Sequence, residues 1–301
     1  MFHCGNNHYH PDAVNIGAWI SESKGLGMVH TPDMVYRKPF ALHRLDYSSG
    51  TPKISVIICA TRPPQSLAYF EKTKYKNFEV IIVIGKGDLP KARNFGWDEA
   101  RGSIIAHIDD DVVPGADWLE VIDNYFEDKT LVGLTGPTLV RHHRNRDALK
   151  YKKLYSIFEP SLPAHISNYG APSYKSNFID GCDYEGPCDY LECCNFVMRN
   201  SSSRFDEGFV GTGEWAEVDL AMKYSQLVLS PHKLWYTSNL QVLHNVSQAG
   251  VYVDRLKTKH RWENFKRFQD RWFDESIKFF IFGFFVWSYF KWKEFTSGNH
   301  R

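Results

Sequence analysis

The first strong pattern along the chain is a near-continuous apolar run, Ile54-Ser55-Val56-Ile57-Ile58-Cys59-Ala60. It is rich in β-branched side chains and reads as a strand buried on both faces. Thr61-Arg62-Pro63-Pro64 ends it, and a helix is expected through Phe70. Phe78 to Ile84 (FEVIIVI) is a second such strand, closed by Gly85-Lys86-Gly87-Asp88. Leu89 to Ala100 fits a helix that stops at Gly102. Ile104 to Ile108 is a third strand, running into Asp109-Asp110-Asp111. Pro114 lies near the start of a helix through Phe126, with Trp118, Leu119 and Ile122 at helical spacing. A fourth strand begins at Leu131. Strands and helices alternating at short spacing predict an α/β fold with a mostly parallel central sheet flanked by helices. In such sheets ligands bind beyond the carboxyl ends of the strands. Thr61-Arg62, Gly85 to Asp88 and the three aspartates all fall there.

The flanks are less regular. Residues 1–52 show no periodicity and are expected to pack as an extension on the core. Residues 53–250 read as one main domain, divided near residue 140. Its second half, 141–250, opens with a long basic, Tyr-, Ser- and Pro-containing connection. A strand is expected within 190–199 and a helix over 214–226. Residues 251–301 read as a C-terminal helical region, with helix over 251–272 and an aromatic tail. That tail, 279–290, reads FFIFGFFVWSYF between Lys278 and Lys291. It is shorter than the about 20 apolar residues that a membrane span needs. Two readings stand side by side: a helix packed on the body, or peripheral contact with a membrane surface.

Composition narrows the picture. With 36 basic and 35 acidic side chains the formal net charge is +1, so the concentrated basic field of a nucleic-acid binder is absent. Aromatic residues make up 15% of the chain, which core packing explains more often than sugar stacking does. The six cysteines do not match a structural zinc spacing, and Cys193-Cys194 suits a buried strand. Met1 leads into Phe2-His3-Cys4-Gly5 instead of a basic stretch and an apolar run, so free thiols and a cytoplasmic location are expected.

Asp109-Asp110-Asp111 is the sharpest chemical feature. Three carboxylates at the end of an apolar strand repel one another unless solvated or neutralised by a cation. Hard ions such as Mg²⁺ or Mn²⁺ prefer such oxygen ligands and share them with phosphate oxygens. A solvated turn capping the following helix is the plain alternative.

The segment KARNFGWDEARGSIIAHIDDDVVPGADWL resembles the nucleotide-sugar half of family 2 glycosyltransferases, which have the GT-A fold. Lys91, Arg93, Asn94 and Gly96 match that family's basic-Asn-Gly helix. Ala100-Arg101-Gly102 matches its Ala-x-Gly step. Asp109 and Asp111 match its DxD motif, and Pro114 and Trp118 sit at the later spacing. The resemblance covers about residues 53–140 and resumes more loosely over 189–272. It implies an inverting transferase that moves a sugar from a UDP-, GDP- or dTDP-sugar to a hydroxyl on a glycan, lipid-linked or other acceptor. It implies Mn²⁺ or Mg²⁺ held by Asp109, Asp111 and His244, although a lone histidine after an apolar stretch is more often a core residue. It implies donor contacts from Thr61, Arg62, Asp88, Lys91, Arg93, Asp109 and Asp110. Downstream, Ala-Glu-Val-Asp-Leu stands where the family carries Glu-Asp-x-Asp-Leu, so Glu217 takes the place of the catalytic Asp. Glu214 is the competing base, and Glu214 and Trp215 are acceptor-side candidates. An acidic helix N-terminus would produce the same composition.

Rival readings have specific weaknesses. A haloacid-dehalogenase-type phosphatase would place its Asp-x-Asp-x-Val motif on the first strand, and here it ends the third. A nucleotidyltransferase would need a Gly-rich loop after the first strand, which Thr61-Arg62-Pro63-Pro64 is not. A non-catalytic carbohydrate-binding protein of the same fold would have no reason to keep Asp109, Asp111 and Glu217 together.

Overall fold

The computed structural model describes residues 34–37, 39–60, 63–85, 88–140, 155–173, 183–227, 233–245, 258–273 and 277–298. Thr61, Arg62, and the helix expected over 251–257 lie outside them.

A nine-stranded sheet forms the centre. Its strands are β1 (Met34–Arg37), β2 (Phe40–Asp46), β3 (Ile54–Ala60), β4 (Phe78–Gly85), β5 (Ile104–Asp109), β7 (Leu131–Thr135), β9 (Glu185–Pro187), β10 (Phe196–Arg199) and β11 (Lys233–Thr237). Their order is β1-β2-β4-β3-β5-β10-β7-β11-β9. The expected parallel core is present, since β3 pairs in parallel with both β4 and β5. Following the pairings outward, six of the nine strands run in one direction and β2, β9 and β10 oppose them. The extension contributes more than a wrap: β2 adds to β4 over seven residue pairs, Phe40 opposite Gly85 through Asp46 opposite Glu79. A second sheet orders β6 (Val112–Pro114), β12 (Val242–His244) and β8 (Thr138–Val140) as β6-β12-β8. Pro114 therefore closes a short strand, and the helix expected there starts later.

Every residue of β3 and of β5 is buried. Alternation along β3 splits its side chains between two cores. Val56 and Ile58 pack with Val80, Ile108, Trp118 and Phe126 on one face. Ile57 and Cys59 pack with Val83, Phe95, Trp97 and Phe196 on the other. The helices are α1 (Leu67–Lys72), α2 (Leu89–Asp98), α3 (Trp118–Tyr125), α4 (Ala216–Leu227), α5 (Thr258–Trp272) and α6 (Ile277–Gly298). Helix α2 lies directly on the sheet because Gly96 has no side chain. A Cβ there would meet Ile57 Cγ2 at 2.6 Å and Val83 Cγ2 at 2.9 Å.

The aromatic tail forms α6, and its two faces differ. Phe279, Phe282 and Val286 are buried against Phe265, Phe268, Tyr155 and Phe158. Ile277, Phe280, Ile281, Phe284, Trp287 and Trp292 are exposed on the other side. No described helix is long and apolar enough to cross a membrane.

Candidate metal and donor site

Strand β5 delivers Asp109 at its last position, and a two-residue turn places Asp110 and Asp111 before β6. All three are buried. The small sheet then supplies the partner that local sequence does not. Antiparallel pairing of β12 with β6 sets His244 opposite Val112, the residue after Asp111. His244 Nε2 lies 3.0 Å from Asp111 Oδ1, and Asn245 N–H donates to the Asp111 carbonyl at 2.9 Å. One ligand atom each from Asp109, Asp111 and His244 fall within 4.8 Å of one another. Two carboxylates and an imidazole at that spacing suit Mn²⁺ or Mg²⁺ and leave room for phosphate oxygens or water.

Arg93, from α2, lies beneath this group and is itself buried. Its Nη2 reaches Asp109 Oδ1 at 3.3 Å and donates to the Cys193 carbonyl at 3.2 Å. Its guanidinium stands over the Phe205 ring, 5.4 Å from the centroid. Burial pushes the Asp109 carboxyl up, but the Arg93 guanidinium, His244 and the Cys194 hydrogen bond act together with the opposite sign, and the pKa is lowered to about 2. Burial opposes the Arg93 charge in turn, and Asp109 and Glu217 reverse that, raising its pKa. The arginine thus braces Asp109 from inside the protein.

Glu217 sits at the second position of α4. Burial pushes its carboxyl up, Arg93 draws it back, Glu214 and Asp109 push it up again, and the result is about 7. Glu214 is engaged elsewhere, accepting a hydrogen bond from Arg261 Nε of α5 at 3.0 Å. Trp215 packs its indole on Phe268 and Phe265, with centroids 4.8 and 5.4 Å away. Asp88 binds the loop that leads to these residues: its Oδ1 accepts from Gly211 N–H at 2.7 Å, and its Oδ2 accepts from Lys91 at 3.0 Å. Asn94 holds the same segment through both the N–H and the carbonyl of Phe205.

Sequence reasoning missed two neighbours. Cys194 Sγ donates to Asp109 Oδ2 at 3.1 Å and lies 3.7 Å from His244 Nδ1. Its contact with Cys193 and its burial push the thiol well above its ordinary value, so it remains a protonated donor. Asn195 is the second: its side chain joins Trp118 Nε1 at 3.0 Å to the Leu240 carbonyl at 2.6 Å, tying α3 to the turn before β12. Nothing in the spacing of these residues signals a contact 85 positions away.

Residues 62–180 match the model of Glycosyl transferase family 2. Over that span the chain is similar to family 2 glycosyltransferases. The matched span contains Arg93 and all three aspartates of the triplet, and it stops before Cys194, Glu217 and His244. Solved structures similar to this chain include GalNAc-T7 with UDP, GalNAc and Mn²⁺, at 13% identity over 75% of this chain and 49% of that one, TM-score 0.46. Another is the mannosyltransferase PcManGT from Pyrobaculum calidifontis in complex with GDP-Man and Mn²⁺, at 10% identity over 85% and 71%, TM-score 0.45. The chain thus spans about half the length of the first of these. No curated protein sequence matches it.

Proposed function

We propose that this chain transfers a sugar, with inversion, from a nucleoside-diphosphate sugar to an acceptor hydroxyl. The observation that carries the reading is the convergence of Asp109, Asp111 and His244 within 4.8 Å at the carboxyl end of a parallel strand, with Glu217 coupled to the same charges. Asp109, Asp111 and His244 would hold Mn²⁺ or Mg²⁺, which when bound supplies positive charge to the leaving diphosphate. Arg93 keeps Asp109 ionised and fixed. Glu217 accepts the acceptor hydroxyl proton as that oxygen bonds to the anomeric carbon and the bond to the diphosphate breaks. A carboxyl with a pKa of about 7 is suited to this exchange near neutrality. Glu217 is favoured over Glu214, whose carboxylate is engaged with Arg261. Lys91, exposed at the start of α2, and Asp110 are further donor-side groups, and Thr61 and Arg62 are proposed on sequence alone. Asp88 and Trp215 serve this scheme by holding the loop before Glu217.

The exposed stripe of α6, flanked by the exposed Lys278 and Lys291, supports peripheral contact with an anionic membrane and hence a lipid-linked acceptor. Co-sedimentation with anionic vesicles checks this, and unchanged binding by a Phe280→Asp, Phe284→Asp variant argues against it.

The transfer reading is tested by incubating the protein with UDP-, GDP- and dTDP-sugars, with Mn²⁺ or with EDTA, and measuring released nucleoside diphosphate. Release with at least one donor that stops in EDTA is expected. Release that EDTA leaves undiminished rules out the metal role, and no release from any donor favours a binding protein.

A further inference from the structure

Two thiols beside the acidic triplet have no part in the transfer chemistry. Cys193 and Cys194 precede β10, whose antiparallel pairing with β5, Phe196 opposite His107, sets them against the end of the strand that carries Asp109. Their Sγ atoms are 3.5 Å apart. Cys194 Sγ is 3.1 Å from Asp109 Oδ2 and 3.7 Å from His244 Nδ1. Ligand atoms of Asp109, Cys193 and Cys194 all lie within 4.8 Å of one another.

These separations can be compared with a metal polyhedron. A tetrahedral zinc with Zn–S bonds of about 2.3 Å and Zn–O or Zn–N bonds of about 2.0 Å has S···S edges of about 3.8 Å and S···O or S···N edges of about 3.5 Å. The observed 3.5, 3.1 and 3.7 Å each fall within about 0.4 Å of the corresponding edge. His244 turns Nδ1 toward the thiol while Nε2 is held 3.0 Å from Asp111 Oδ1. A carboxylate on the far nitrogen is the usual support of a zinc-bound imidazole. The divalent ion and the Arg93 guanidinium offset the three negative charges of the two thiolates and Asp109, and the Asp111 carboxylate beside His244 adds one more.

We propose that Cys193, Cys194 and Asp109, joined by His244 Nδ1, form a capture site for a thiophilic divalent cation such as Zn²⁺ or Cd²⁺, and that its occupation withdraws Asp109 from donor binding and switches transfer off. The switching consequence rests on the proposed function; the capture site does not. On binding, each thiol releases its proton to solvent and its sulfur donates an electron pair to the ion, so no oxidant is needed. Hard ions prefer the oxygen-rich set of Asp109 and Asp111 and leave the thiols protonated, so softness separates the two occupants.

The test titrates the full chain, with a phosphine reductant and no donor, using Co²⁺ and Cd²⁺ as probes of thiolate-to-metal charge transfer in the near ultraviolet. One equivalent should produce the band, and a Cys193→Ser, Cys194→Ser variant should lose it or require about tenfold more metal or beyond. Glu217→Gln touches neither thiol and should keep the full band while losing turnover, so failure of the transfer reading and failure of the capture site are told apart. One equivalent of Zn²⁺ should suppress Mn²⁺-supported turnover. A wild-type titration without the band overturns the proposal whatever the variants do. A band that survives in the double variant, coming from other thiols, also overturns it, and undiminished turnover with Zn²⁺ bound overturns the switch.

Discussion

The two sides of the site are held in different ways. Asp109 ends a strand whose residues are all buried and which hydrogen-bonds along both edges, to β3 and to β10. Glu217 follows a turn in which Gly211, Gly213 and Trp215 all have positive φ, at 64°, 64° and 77°. An indole residue in that region costs about 1–3 kcal/mol of local strain. The packing of Trp215 on Phe265 and Phe268 offsets it. Side chains hold the rest: Asn264 bonds both the N–H and the carbonyl of Val210, Arg261 bonds Glu214, and Asp88 bonds Gly211. Sheet hydrogen bonding therefore fixes the proposed metal side, whereas contacts with α5 and Asp88 fix the proposed base side. Damage to the C-terminal helices should misplace Glu217 and leave the aspartates where they are.

The contrast can be broken most severely at the metal side. Asp111→Asn should lower donor turnover by about 10³-fold or more, equivalent to about 4 kcal/mol, with the circular dichroism spectrum unchanged. Near-normal turnover would remove the triplet from the chemistry. Glu217→Gln should cost about 10²–10⁴-fold in kcat. The wild-type rate should rise as pH passes through about 7, because the carboxyl is protonated below that value and can accept no proton. The rising limb should vanish in Glu217→Gln, and an unaltered profile would assign it to another group.

Two smaller effects sharpen the comparison. Asp219 is fully buried and accepts from Arg271 at 2.6 Å and Trp272 Nε1 at 2.9 Å, joining α4 to α5. Asp219→Ala should destabilise by about 2–3 kcal/mol, less than a wholly buried pair because Arg271 is partly exposed. It should lower kcat more than it lowers metal affinity, and equal losses would show that the two sides are not independent. Gly96→Ala places a Cβ against Ile57 on the donor side and should cost about 1–3 kcal/mol in denaturant unfolding. Its effect should fall on donor binding and leave the Glu217 pH limb in place.

The parallel core was readable because β3, β4 and β5 are buried on both faces and so consist of apolar runs. Strand β2 was not, since FALHRLD mixes buried and partly exposed positions without a clean period and includes the buried His43. Strands β6, β8 and β12 have three residues each, too few for any pattern. Pro114 accordingly read as a helix start although it ends β6. Arg93 and Asp88, expected as donor contacts, also bond Asp109 and Gly211 within the chain, partners that composition does not show.

By itself the sequence determined where Asp109 and Asp111 would emerge, because a buried strand and the turn that ends it are local consequences of side-chain pattern. Only the tertiary structure decided what surrounds them. His244 arrives through the pairing of β12 with β6, Cys194 through the pairing of β10 with β5, and Glu217 through a strained turn held by α5. Such pairings between distant segments are selected by the burial and hydrogen bonding of whole elements, and no short window of residues carries that information.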